Sequence, residues 1–189
     1  MSVIVNFELS DRDVEHFVAM AREAHKAVAG REDAEQNVIA GARKLFDAAR
    51  SAELPDFVAQ RLNKLGELAD MLTDSEWQLS GEDRERVLSA LAYFANPDDL
   101  IPDRVPGIGF LDDAIMAELV CRELDAEISA YREFCAFRRT EEKRRADAGL
   151  PTNVSREDWL ADQRAVLHSR MRERRRSASG EGGWRVRLW

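Results

Sequence analysis

Residues 91–116 read Leu-Ala-Tyr-Phe-Ala-Asn-Pro-Asp-Asp-Leu-Ile-Pro-Asp-Arg-Val-Pro-Gly-Ile-Gly-Phe-Leu-Asp-Asp-Ala-Ile-Met. Three prolines, Pro97, Pro102 and Pro106, hold φ near one value and bar a continuous helix. Gly107 and Gly109 admit backbone conformations that other residues avoid. Asp98 or Asp99 can cap a short turn at Leu100–Ile101, and Asp112 and Asp113 fall where the first turn of a following helix welcomes negative charge. Leu100, Ile101, Val105 and Ile108 are apolar and can tuck under the bend. The stretch therefore reads as a rigid connector between two helices.

Outward from this loop the pattern is helical on both sides. Before it, Ser80 and Asp83 form a capping-box pattern. Val87, Leu88, Leu91, Phe94 and Ala95 then give a wide apolar face that Pro97 ends. After it, a helix starts near Gly109 and extends toward Asp147. Phe110, Ala114, Ala117, Cys121, Leu124, Ile128, Tyr131 and Cys135 recur at alternating steps of four and three, a seam over several turns. Leu111, Ile115, Leu119 and Val120 make its first half apolar on a second side. From Arg138 to Arg145 it is almost purely charged, and a projection into water is expected there.

The combination of Pro97, Asp-Leu-Ile-Pro-Asp at 99–103, Pro106, Gly109 and Leu-Asp-Asp at 111–113 resembles the YkvA-like family, a bacterial domain of unknown function. The likeness centres on residues 84–137. It implies a helical hairpin and no established activity. Relatives are often shorter or more hydrophobic, some of them beside membrane segments, whereas the helices flanking the segment here are acidic.

Further out, a helix is expected from Asp11 to Val28, capped by Ser10 with Asp13 and stopped by Gly30. Its stripe is Val14, Val18, Ala21, His25 and Val28, with Phe17 beside it. A second runs over 32–52 on Val38, Ala42, Leu45, Ala49 and Ala52, and a third opens with Pro55 and carries Val58, Leu62, Leu65, Ala69 and Leu72. Thr73–Ser80, containing Trp77, is a connector. Beyond Gly149 and Pro151, Ser155 and Asp158 open a basic helix to Arg176, with Trp159, Leu160, Val166, Leu167 and Met171 as an apolar face that Gln163 interrupts. That interruption makes it the least securely packed. The expected architecture is an all-α bundle of about six helices: a body over 1–148, a basic helix over 149–176, and a Ser/Gly linker with a Trp-Arg tail over 177–189. Residues 3–9 and 184–189 alternate like strands, and either pair as a two-stranded ribbon or fray as two free ends.

The chain of 189 residues is long enough for a real core without staples. Its net charge of −8 hides an asymmetry: residues 1–137 hold 14 basic and 28 acidic side chains, residues 138–189 hold 14 and 8. The body repels polyanions. The tail attracts them or folds back onto the acidic body. Cys121 and Cys135, roughly 21 Å apart along one helix, cannot form a disulfide and suit a reducing compartment. Residues 1–10 do not read as a signal peptide, and no apolar run is long enough for a span, so a cytoplasmic place is expected.

Two groups carry whatever chemistry there is. Asp98, Asp99, Asp103, Asp112 and Asp113 could hold Mg²⁺ or Ca²⁺, but the spacing fits no calcium loop, and capping already accounts for most of them. Structural capping is preferred, and no cofactor is expected. Arg170, Arg172, Arg174, Arg175 and Arg176, with Trp184 and Trp189, form a basic stretch able to meet a protein partner, nucleic acid or an anionic membrane surface. His16, His25 and His168 do not share a site, and no catalytic constellation emerges from spacing. The reading is an interaction or scaffold protein that associates with a partner or with itself. The alternatives are a metal-dependent enzyme using the Asp loop and a peripheral binder of anionic lipid or nucleic acid.

Overall fold

A computed structural model describes residues 8–28, 33–51, 54–95, 110–151 and 156–180. The described residues are all-α, as the periodicity requires. Seven α-helices follow in order: α1 Asp11–Val28, α2 Ala34–Ser51, α3 Asp56–Thr73, α4 Gly81–Ala92, α5 Leu111–Glu123, α6 Asp125–Asp147 and α7 Arg156–Gly180, with a 3₁₀ turn at Tyr93–Ala95. The strand-like ends lie outside the described residues, except Glu8 and Leu9, which precede α1 without forming a strand.

Local signals explain several helix ends. Asp13 Oδ2 accepts from the Ser10 amide at 2.9 Å and from its hydroxyl at 2.7 Å, which closes the expected capping box. These bonds hold the Asp13 carboxyl below its usual range. Pro55 opens α3 by accepting from the amides of Val58 and Ala59. Gly149, at φ +68, ends α6 in a Schellman motif: Leu150 N–H donates to Arg145 O and Gly149 N–H to Ala146 O. Ser80 departs from expectation and makes no side-chain cap, and the Asp83 carboxylate that would return the bond is paired with α7 instead.

The core gathers around α3, α4 and α5. α3 packs between α2 and α5, and buries Leu68 and Met71 in addition to the expected stripe. α1 lies on α4 and the 3₁₀ turn, with Val14, Phe17, Ala21 and Ala24 inward, so its buried face is rotated away from the half-buried His25. α2 approaches the 3₁₀ turn most closely at Gly41. A Cβ there would lie 2.8 Å from Ala95 Cβ and 2.9 Å from its Cα. Gly41→Ala should therefore cost about 1–3 kcal/mol through overpacking, against a helix-propensity gain of at most about 1. Gly66→Ala is the control, since its Cβ would meet only Arg50 Nη2 at 3.9 Å. Thermal unfolding should show the first variant melting lower and the second unchanged or higher.

Three expectations about the C-terminal half are corrected. The long helix beyond the loop is two helices. They meet at the fully buried Leu124, with φ −103 and ψ 21. Neither glycine nor proline stands there, so tertiary packing sets the break rather than local propensity. The charged end of α6 does not project freely: one face lies under α7, where Arg145 stacks on Trp159 at 5.1 Å and Glu142 meets Arg156 at 2.6 Å. Arg139, Lys143 and Arg144 keep the other face in water. α7, expected to be weakly held, buries Leu160, Leu167 and Met171 completely or nearly so, while Val166 points outward at 44% exposure. Its helix also continues through Ser177–Gly180, the first residues of the expected linker.

Candidate functional site

The connector between α3 and α4 is ordered by one carboxylate. Asp74 Oδ1 accepts from the amides of Glu76 (2.9 Å) and Trp77 (3.2 Å), as an Asx turn does. Its Oδ2 accepts from Tyr131 Oη (3.1 Å) and from Arg138 (2.9 Å) on α6. Gln78 completes the bend at φ +54. The turn drives Trp77 into the molecule at 0% exposure, against Phe134 at 5.1 Å, Tyr131 at 5.7 Å and the edge of His168 at 4.2 Å. Burial first, then the neighbouring Cys135 and Asp74 side chains, push the Tyr131 phenol far up, so it stays protonated as a donor.

α7 closes over this connector with a row of cations. Arg156 grips Glu76 and Glu142, Arg164 donates to the Glu76 carbonyl at 2.8 Å, and Arg138 adds a second guanidinium to the Glu76 carboxylate at 2.8 Å. The hydrogen bond from Arg156, joined by Arg138, holds Glu76 below its usual range despite burial. Two guanidiniums lie within cation–π distance of Trp159, Arg145 at 5.1 Å and Arg156 at 5.3 Å.

Further along, the interface is drier. Arg175 donates to Asp83 Oδ1 at 2.6 Å and Glu127 Oε1 at 3.2 Å, and Arg172 reaches Asp83 Oδ2 at 3.2 Å. Arg86 on α4 meets the same Glu127 and also Glu123, each at 3.3 Å. Asp83 is 7% exposed and Glu127 0%. Burying a carboxylate to this degree is costly unless it is paired, and here the arginines pair both. Arg174 pairs with Glu133 at the rim. The whole forms an acidic cleft, made by the connector, α4 and α6, and filled by an arginine face.

The sequence candidates separate accordingly. Asp98, Asp99, Asp103, Trp184 and Trp189 lie outside the described residues. Asp112 and Asp113 occupy the first turn of α5 at 3% and 2% exposure, at the positive end of that helix. Among the described residues no three metal-ligating side chains converge. Of the basic stretch, Arg172, Arg174 and Arg175 face the acidic body, while Arg170 and Arg176 are exposed. Burial raises the Cys121 thiol to about 11, leaving it protonated.

Comparison with known proteins bears on one part of this arrangement. Residues 86–119, from α4 into α5, match the model of a family described as a protein of unknown function (DUF1232). This segment is YkvA-like. A curated relative, the uncharacterized membrane protein YkvA of Bacillus subtilis (strain 168), is 37% identical over 46 residues. That overlap is 24% of this chain and 43% of the relative, so the chain spans less than half the length of that protein. No solved structure matches. Within the matched span, the YkvA-like helices bury Val87, Ala90, Leu91, Phe94, Met116 and Ala117, which places the resemblance in the core. No described helix is long and apolar enough to cross a membrane. The cleft borrows Arg86 from the matched segment, and its carboxylates and α7 lie beyond it.

Proposed function

We propose that this is a non-enzymatic interaction or scaffold protein, in which the YkvA-like hairpin is the packing centre and the acidic cleft is the docking surface. The observation that supports this is the burial of Asp83 and Glu127 against arginines supplied by α7. A body built this way is complementary to an arginine-rich amphipathic helix, and α7 is its occupant within the chain. Recognition would rest on bidentate and stacked guanidiniums, geometry that lysine does not reproduce. A reducing compartment such as the cytoplasm suits the two free cysteines.

The test weakens the occupant and offers a substitute. A fluorescent peptide of sequence 156–180 is titrated into the full chain and into its Arg172→Ala, Arg175→Ala variant. The variant should bind about tenfold or more tightly than the parent, because tethered α7 competes at high effective concentration. If neither chain binds, the docking reading fails. Two further arms address the alternatives. A rise in melting temperature with Mg²⁺ or Ca²⁺, lost on Asp103→Asn, would favour a metal site among Asp98, Asp99, Asp103, Asp112 and Asp113. Salt-sensitive retention on anionic vesicles or DNA would favour a polyanion binder acting through the basic C-terminal region.

A further inference from the structure

The least ordinary contact in the α7 interface is His168. Its ring stands edge-on to Trp77, with centroids 4.2 Å apart and planes at 88°. Its Nε2 is buried without a hydrogen-bond partner, and so is the Trp77 indole nitrogen beside it. The charges that face it come from three elements. On α7 it is flanked by Arg164 and Arg172. From α4 comes Asp83, which Arg172 and Arg175 already occupy. α6 sends Glu127 and Arg138 into the same interface, where Glu127 is held by Arg86 and Arg175, and Arg138 is held by Asp74 and Glu76. The connector contributes a carbonyl, that of Trp77. A proton added to this ring finds two arginines, a carboxylate already shared and an apolar indole.

We propose that His168 makes the seating of α7 sensitive to pH: the helix docks against Trp77 with a neutral imidazole, and protonation loosens it from the cleft. This rests on the reading of the cleft as a docking surface, and would give that surface a control. The direction follows from linkage. Burial is the main cause, with Arg172 and Arg164 adding to it, that holds the docked imidazole below its ordinary value of 6.5. The undocked ring, in water, takes up protons at that ordinary value. Between the two values the open state binds more protons, so docking is complete above about pH 6.5 and weakens as pH falls below it. Glu76, held low by Arg156, remains charged through this window and does not account for the effect.

The scale is set by the burial of Leu160, Leu167 and Met171, which keeps α7 seated at either pH. Acid should therefore act as a rise in local opening rather than as full release. Hydrogen exchange on the full chain reads this directly. After correction for intrinsic rates, amides of residues 160–175 should lose protection about threefold to tenfold between pH 7.5 and 5.5, while α2 and α3 stay unchanged. His168→Gln and His168→Phe cannot take the proton, and their α7 protection should be the same at both values. The inference falls if wild-type α7 is equally protected at both pH values, if protection drops evenly through α2 and α3, or if both variants show the wild-type loss. A chain that loosens with acid yet takes no peptide in its cleft would retain this inference and lose the docking reading. A chain that takes the peptide with no dependence on His168 would do the reverse.

Discussion

Trp77→Ala is expected to remove about 3–5 kcal/mol of folding stability, the range for emptying the site of a large buried aromatic. Small domains hold only about 5–15 kcal/mol in total, so the urea midpoint should fall by about a fifth or more. The size follows from position. Trp77 is fully buried and touches rings from α6 and α7 together: Tyr131, Phe134 and His168. Its loss leaves a cavity where three elements meet, and Asp74 keeps the connector backbone from collapsing into it by holding the amides of residues 76 and 77. Trp77→Phe keeps one ring and should cost less than half as much. Exchange protection should fall in α7 before it falls in α2. Equal stability of Trp77→Ala and wild type would mean that the connector does not sit where the structure puts it.

Glu127→Ala should cost about 3 kcal/mol. Breaking a buried ion pair by deleting one partner usually costs about 3–5. The lower end applies because Arg86 retains Glu123 and Arg175 retains Asp83. The charge and not the volume is at stake, so Glu127→Gln should recover little. Replacing Glu127, Arg86 and Arg175 together by apolar residues of similar size should recover only part of the loss, since Asp83 then keeps Arg172 and Glu123 loses Arg86. Chemical denaturation of the three variants tests the order. A triple variant less stable than Glu127→Ala would show that the network supplies net stability.

How much of this was legible without coordinates depends on the range over which each signal acts. The Ser10–Asp13 box, the Pro55 start and the Gly149 stop are contacts within a few residues, and each forms as the local pattern requires. The core stripe of α3 is likewise periodic, so Val58, Leu62, Leu65, Ala69 and Leu72 were readable as its inward face. The YkvA-like segment was recognisable from its prolines and aspartates, and its two described helices each pack on α3 in the core. The candidate cleft was readable only in part. Arg164, His168, Arg172 and Arg175 recur at steps of four, four and three, a polar stripe that marks one face of α7. The acidic excess of residues 1–137 pointed to its counterpart without saying which carboxylates would supply it.

Local spacing and composition by themselves determined that this chain is helical, where most helices begin and end, and that a basic C-terminal helix accompanies an acidic body. Only the tertiary structure decided that Asp83 gives up a capping role for Arg172 and Arg175, that the helix after the loop breaks at Leu124, and that Trp77 leaves a polar connector for the core. The physical reason is distance along the chain. Capping and periodicity are settled among neighbours, whereas a buried charge or an indole finds its partner some fifty to ninety residues away. Which distant group arrives depends on how whole helices pack.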